Sequence, residues 1–295
     1  MKKPPLIFIV ILNYNGQYDT IECIKSIRKS SYKHYKIVIV DNGSKDESVS
    51  ILKREFPDVK LIENEENSGF GGGNNTGIDY SLQRGVPYIL LLNNDTVVEK
   101  DFLYHMIEAI EKDEKIGLVA PSIYYYNQPG RIWSAGGYIS WIRGSGFHLY
   151  RSNKDRFVSF VSGCCMLIKV EVMKRVGLFS EDYFLYLEDA DYCRRVADAN
   201  FKIRYVARST IYHKAHSTVG GKNSPSVLYY CYRNRLFFTK KYAPKLYYYI
   251  FLLYLTVTIT VKFSIWGISG HKDRIKYVRL GIRDFLLNRM GKADI

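Results

Sequence analysis

An α/β fold is predicted by two features of this sequence. Apolar runs rich in β-branched residues recur at residues 6–12, 35–40 and 88–92, with helix-like segments between them. Each run also ends in a polar cluster, NYNG, DNGS and NNDT in turn. Open α/β sheets bind ligands at the carboxyl ends of their strands, so these clusters predict one shared cleft. With 295 residues, 47% of them hydrophobic, the chain can bury a sizeable core, as one large domain with an appendage or as two smaller domains.

The opening MKKPPLIFIVIL reads as the first strand, because its seven-residue apolar run is short for a signal sequence and no small-residue cleavage site follows. Residues 130–162 are irregular and rich in Gly, Trp, Tyr and Arg, as expected of loops that shape a binding site. SGCCMLIKVEVMKRVG then predicts a strand followed by a helix. Beyond His216 the composition changes: STVGGKNSPS reads as a linker, aromatic and basic residues follow, and residues 246–261 are almost wholly apolar or Thr. The run 247–268 approaches the length of a bilayer span. Lys262 interrupts it and Thr256, Thr258, Thr260 and Ser264 dilute it, so it predicts an interfacial or re-entrant helix. The final stretch, HKDRIKYVRLGIRDFLLNRMGK, interleaves basic and apolar residues at helical spacing. That pattern suits a helix on an anionic membrane surface, or one packed on its own domain.

The net charge of +14, from 43 Lys+Arg against 29 Asp+Glu, predicts an anionic partner: nucleic acid, lipid headgroups or a phosphorylated substrate. No zinc-finger or ribonucleoprotein signature accompanies the charge, and the aromatic residues lie mostly in apolar runs, which points away from nucleic acid. Cys23, Cys164, Cys165, Cys193 and Cys231 are odd in number and lack CxxC spacing, so buried free thiols in a reducing compartment are expected.

Four constellations carry candidate chemistry. In LLLNNDT, Asp95 follows a strand, where a carboxylate can hold a divalent ion bridging phosphates; a plain turn explains the same residues. In VDNGSKD, Asp41 ends a strand and Asn42 and Gly43 turn the chain, which suits hydrogen bonds from a ribose or base. ENSGFGGGNNTGI has glycines that let backbone approach a ligand and expose amides to an anion. It is no dinucleotide fingerprint, since the third glycine of GxGxxG falls on Asn74 or Thr76, and GxxxxGKS/T is absent. FLYLEDADYCRR gathers Glu188, Asp189 and Asp191 after an aromatic run. Burial and like charges raise a carboxylate's pKa, as a general base needs, whereas a helix N-terminus lowers it. The alternative is an acidic first turn paired with Arg194 and Arg195. Finally, IYHKAHST offers His213 and His216 without cysteine or HExxH, so one imidazole joining Asp95 around Mn²⁺ is better chemistry than a zinc site.

Taken in order, NYNG, VDNGSKD, NSGFGGGNN, LLLNNDT, SGCCMLIK, FLYLEDADYCRR, YHKAHS and YYCYRNRLFF resemble the family 2 glycosyltransferases, and most of all the rhamnosyltransferase-like subgroup, from about residue 7 to residue 240. The resemblance implies a GT-A nucleotide-diphospho-sugar transferase fold over 1–240, with a mixed central sheet flanked by helices. A C-terminal helical membrane-associating extension is expected over 241–295. The family's metal motif falls on Asn93, Asn94 and Asp95, leaving Asp95 as its one carboxylate, with His213 as second ligand of Mn²⁺ or Mg²⁺. Asp189 becomes the implied base and Asp191 its alternative. Donor contacts are implied for Asn13, Asn15, Asp41, Asn42, Asn67, Gly69, Asn74, Asn93 and Asn94, and diphosphate or acceptor contacts for Glu188, His216, Arg233 and Asn234.

The implied activity is inverting transfer of a sugar, rhamnose among the candidates, from a dTDP- or UDP-sugar to a hydroxyl of a lipid-linked or polysaccharide acceptor. It is expected on the cytoplasmic face of a membrane with an anionic surface. Sugar-phosphate nucleotidyltransferases also pair an α/β nucleotide fold with a divalent ion, but open on a Gly-rich, Lys/Arg-bearing loop that NYNGQYD lacks. A non-catalytic nucleotide-sugar-binding membrane scaffold is the alternative from another class, and a single doubtful span is too little for a transporter.

Overall fold

The computed structural model describes residues 4–151, 153–215 and 221–295. Strands β1 (Ile7–Asn13), β2 (Tyr35–Asp41), β3 (Lys60–Glu63) and β4 (Tyr88–Asn93) are joined through α1 (Gln17–Arg28), α2 (Ser48–Glu55) and α3 (Gly69–Leu82). There follow β5 (Thr96–Val98), α4 (Phe102–Ile110), β6 (Ile116–Tyr125), β7 (Gln128–Ser134), β8 (Gly137–Ser140), β9 (Ser145–His148), β10 (Arg156–Val158) and β11 (Cys165–Lys169). The chain continues through α5 (Val170–Val176), α6 (Glu188–Asp198), β12 (Lys202–His213), α7 (Pro225–Tyr242), α8 (Lys245–Ile268) and α9 (Lys272–Leu286).

One sheet runs in the order β10-β12-β6-β11-β4-β1-β2-β3, with β5 on β12 and β7 on β6. Its β3, β2, β1 and β4 are parallel, and β11 lies antiparallel between β4 and β6, which makes the sheet mixed. Strands buried on both faces read as unbroken apolar runs, as YILLLN does. Alternate side chains serve the two faces. Ile7, Ile9 and Ile11 meet Ile24 of α1, Leu52 of α2 and Leu103 of α4, while Phe8 and Val10 meet Ile78 of α3, Val172 of α5 and Val196 of α6.

Two glycines of the glycine-rich segment serve this packing. A Cβ on Gly73 would lie 2.4 Å from Leu12 Cδ1, and one on Gly77 would lie 2.4 Å from Val10 Cγ1, so α3 can rest on the sheet only without side chains there.

The last three helices form a layer of their own, with Leu228, Tyr232 and Leu236 of α7, Phe251, Leu255 and Trp266 of α8, and Val278 of α9 at its centre. Helix α9 packs on its own domain, where a Cβ on Gly281 would lie 2.5 Å from the Tyr229 carbonyl oxygen, while Lys276, Arg279 and Arg283 stay exposed. The boundary expected after residue 240 falls inside α7. Helix α8 is continuous rather than re-entrant; with a mean hydropathy of 1.6 it is, among the described residues, the one helix long and apolar enough to cross a membrane.

Gly77→Ala should cost about 1 to 3 kcal/mol in urea unfolding, as overpacking does. Gly130→Ala, which meets nothing within 4 Å, should stay within about 0.5 kcal/mol of the parent.

Candidate active site

The site is built where β1, β2 and β4 end. Asn13 Nδ2 donates to Asp41 Oδ1 at 2.7 Å, and Asn13 Oδ1 accepts from Thr20 Oγ1 at 2.8 Å. Ser44 closes on the same carboxylate, its amide donating to Asp41 Oδ2 at 2.9 Å and its hydroxyl to Oδ1 at 2.7 Å. Asn94 joins through Thr20, with Nδ2 donating to Oγ1 at 3.0 Å. Asn15, at a positive φ of 50°, accepts from the Lys45 amide and forms the exposed rim. Three other predicted donor contacts are likewise engaged within the fold. Asn42 and Asn74 are each 2% exposed; Asn42 bonds Asn67 Oδ1, the Gly69 carbonyl and Ser68, and Asn74 donates to the Phe70 carbonyl. Gly69, at φ +78°, abuts the Phe184 carbonyl so closely that a Cβ would lie 2.2 Å from its oxygen. Asn67, which accepts from the Gly69 amide at 2.8 Å, fixes that turn.

At the end of β4 the Asn93 amide donates to the Cys164 carbonyl at 2.9 Å, and two residues on, Asp95 Oδ2 lies 3.2 Å from His213 Nε2. The pairing of β5 with β12, which sets Thr96 opposite His213, brings the two together across more than a hundred residues. Among the described residues His213 Nδ1 has no hydrogen-bond partner. The Trp133 ring meets His213 edge-on at 4.7 Å and stands 4.8 Å from His148. Burial, with the nearby His213 adding to it, pushes His148 down to about 4, so this imidazole is neutral at physiological pH. Neither Trp133 nor His148 was legible as a site residue, because the irregular segment that carries them has no periodicity to read. His216 lies outside the described residues.

The acidic cluster separates into three environments. Asp189 Oδ2 accepts from the Gly163 amide at 3.1 Å and Oδ1 from the Ala190 amide at 2.8 Å. Burial outweighs both donors and pushes Asp189 up to about 6. Glu188, 6% exposed, is raised well above the carboxylate range by burial and then by the Asp189 charge, and its Oε2 has no hydrogen-bond partner among the described residues. Asp191 is a different case. It is fully buried and accepts from Arg195 Nε at 2.7 Å, Lys241 Nζ at 3.0 Å, Tyr242 at 2.7 Å and Tyr183 at 3.2 Å. Burial alone would raise it, but Arg195, Tyr242 and Lys241 hold it below the usual carboxylate range. Full burial and four donors give Asp191 the surroundings of a scaffold carboxylate rather than of the alternative base.

Arg233 and Asn234 are also engaged within the fold. Both are buried on α7, where Arg233 donates to the carbonyls of Gly291 at 2.8 Å, Tyr183 at 3.1 Å and Asp182 at 3.2 Å. Asn234 shares its amide among the carbonyls of Tyr183, Leu185 and Tyr186 at 2.8 to 2.9 Å. They clamp the loop that leads into Glu188. Gly163 is the residue missing from the sequence reading: it holds Asp189, while Cys164 beside it holds Asn93, so SGCC ties the acidic cluster to the end of β4. A cavity of about 1010 Å³ opens nearby, lined by Tyr125, Arg131, Ile132 and Tyr150, with Tyr125 in register with His213.

Residues 8–177 match the family model for glycosyl transferase family 2. The chain belongs to that family. This glycosyltransferase-family chain is 26% identical over 205 residues to the low-salt glycan biosynthesis hexosyltransferase Agl10 of Haloferax volcanii, covering 66% of its own length and 62% of that relative's. It is 26% identical over 238 residues to the N-acetylglucosaminyl-diphospho-decaprenol L-rhamnosyltransferase of Mycobacterium tuberculosis, covering 71% of itself and 76% of that protein. In fold it is similar to the mannosyltransferase PcManGT of Pyrobaculum calidifontis, solved with GDP-Man and Mn²⁺, at a TM-score of 0.58 and 14% identity over 98% of this chain and 88% of that one. It is also similar to GalNAc-T7, solved with UDP, GalNAc and Mn²⁺, at a TM-score of 0.62 and 17% identity over 79% and 48%. The GT-A architecture expected from the sequence is the one observed.

Asn234→Ala removes the donor shared by three carbonyls and should cost about 3 kcal/mol of stability. Hydrogen exchange should show that loss concentrated at residues 183–187.

Proposed function

We propose that this chain is an inverting glycosyltransferase that moves a sugar from a nucleoside-diphosphate donor to an acceptor hydroxyl, with Asp189 as general base. The observation that carries this reading is the pairing of a raised carboxylate with the Asp95–His213 pair across the Gly163–Cys164 segment. A base must be ionised yet basic near neutral pH, and a carboxyl at about 6 meets both needs. In the proposed step the acceptor hydroxyl loses its proton to Asp189 as its oxygen bonds the anomeric carbon. The bond from that carbon to the diphosphate oxygen breaks, and its electron pair leaves with the nucleoside diphosphate. One displacement inverts the centre.

Asp95 and His213 fit a divalent cation: a carboxylate and an imidazole 3.2 Å apart, both nearly buried, offer the hard and borderline donors that Mn²⁺ or Mg²⁺ takes. Among the described residues no third His, Cys, Asp or Glu joins them, so other ligands would come from donor and water. A divalent ion there supplies charge neutralisation to a departing diphosphate. The Asn13, Asp41, Ser44 and Asn94 network would receive the nucleoside, with dTDP- or UDP-sugars the expected donors. A lipid-linked or polysaccharide acceptor is proposed from the diphospho-decaprenol substrate in the mycobacterial relative's name. Work on the cytoplasmic face of a membrane is proposed from the free cysteines, the exposed apolar side of α8 and the exposed bases of α9.

Thermal melts with UDP, dTDP, GDP and ADP, with and without Mn²⁺, test the donor half. One diphosphate at a hundredfold excess over its Kd should add about 3 kcal/mol only when metal is present. Asp95→Ala should abolish that gain and Asp189→Asn should keep it; stabilisation independent of both metal and Asp95 would sink the assignment. For the base, kcat/KM should climb with pH through a midpoint of about 6, and Asp189→Asn should lose about a thousandfold in turnover. Ionising this buried acid is harder in the folded chain than in the unfolded one, so its contribution to stability falls as pH rises toward 6. Asp189→Asn should therefore be at least as stable as the parent at neutral pH, which separates lost chemistry from lost fold.

A further inference from the structure

Arg143, Arg235 and Lys262 converge where the turn between β8 and β9 meets α7 and α8. Arg235 Nε donates to the Arg143 carbonyl at 2.8 Å, and its guanidinium lies 5.8 Å from the Tyr232 ring and 5.6 Å from that of Phe251. Lys262 Nζ donates to the Tyr232 hydroxyl at 3.1 Å, which ties the ammonium to the same ring. The turn is pressed onto α8, since a Cβ on Gly144 would lie 2.6 Å from the Phe251 ring.

Among the described residues, none of these three cations is paired with a carboxylate. Arg195 and Lys241, by contrast, meet Asp191, and Lys214 meets Asp19 and Glu22. Burial lowers the Arg235 pKa. With Arg143 and Lys262 exposed and Arg235 half-buried, the cluster is open to an anion from solvent.

Its position says which anion. Cys231 and Arg235 sit one turn apart on one face of α7. The Cys231 thiol is within electrostatic reach of Glu188 as well as of Arg235 and Lys262. On the other side Lys262 belongs to α8, whose Leu253, Val257, Val261 and Ile265 are each more than half exposed along one stripe. A phosphate held here lies toward the start of α6 through Cys231 and Glu188 and has an apolar surface on its other side. The donor's diphosphate belongs with Asp95 and His213, and a free phosphate gives the apolar stripe no role.

We propose that Arg143, Arg235 and Lys262 bind the phosphate or diphosphate of a lipid-linked acceptor, whose hydrocarbon chain lies along the exposed stripe of α8. The word acceptor rests on the transferase reading above; the binding of a lipid phosphate does not.

The test uses the full chain in mild non-ionic detergent, titrated calorimetrically with farnesyl diphosphate, farnesol and inorganic diphosphate, while Mn²⁺-dependent stabilisation by UDP or dTDP is followed in parallel. Farnesyl diphosphate should bind at least about tenfold tighter than either fragment, because both the charge and the chain contribute. Arg235→Gln and the exposed Lys262→Gln should each weaken it about tenfold, with Arg235→Lys recovering part of the loss and nucleotide stabilisation unchanged throughout. Equal binding by parent and variants, displacement by the nucleotide, or equal affinity for inorganic diphosphate would each overturn the proposal. So would attachment to phosphatidylglycerol vesicles that needs Arg235 while farnesyl diphosphate fails to bind, which would mark a bulk headgroup site. If no nucleotide binds but farnesyl diphosphate still requires Arg235, the transferase reading falls and the lipid-phosphate site stands.

Discussion

The clamp that α7 places on the loop before α6 is the interaction on which the rest of the site depends. Phe184, Tyr186 and Leu187 take positive φ values of 58°, 69° and 73°, a region that side-chain-bearing residues rarely enter and that costs on the order of 1 kcal/mol at each. Nothing in the loop's own sequence favours that path. Asn234 and Arg233 make it affordable by donating to its carbonyls from a rigid helix. With the loop fixed, Leu187 becomes the residue from which α6 springs, and Glu188 and Asp189 are aimed as its first turn. The Phe184 carbonyl in turn accepts from the Phe70 amide and leaves room only for glycine at 69, so the same clamp seats the start of α3.

Environment then divides the acidic cluster. Asp189 and Asp191 stand on one helix two positions apart and differ in everything a carboxylate feels. Four side-chain donors surround Asp191 and keep it charged as part of the scaffold, whereas Asp189 has backbone amides alone and burial wins. Lys241 and Tyr242 of α7 supply half of the donors to Asp191, so the last helices do more than hang beneath the sheet. They complete the acidic cluster's surroundings, and the C-terminal tail reinforces this through the Gly291 carbonyl that accepts from Arg233.

The distribution of charge follows the same division. Arg195 and Lys241 are matched by Asp191, Lys276, Arg279 and Arg283 of α9 face outward, and Arg143, Arg235 and Lys262 lie where α7 and α8 meet the turn between β8 and β9. A net charge of +14 is therefore not an even coat but a placed one, with the apolar stripe of α8 adjoining its unmatched part.

Local chemistry determined a good deal by itself. Unbroken apolar runs fixed the parallel strands, since burial on both faces leaves no polar position, and strand-ending polar residues fixed where the cleft opens. The ordered motifs pointed to the family. Tertiary structure alone decided which polar residues face outward. Asn42, Arg233 and Asn234 carry the same donors as any ligand-binding residue, yet long-range partners consume them, while Asn74 spends its amide one helical turn back. Glycines 73 and 77 look like a ligand's approach and serve helix–sheet contact. Whether Asp189 would be raised or lowered depended on burial against two amide donors, and the Gly163 amide comes from a segment 26 residues away. Patterns along the chain record periodicity and residue type; a pKa or a hydrogen-bond partner is set by what folding brings within a few ångströms.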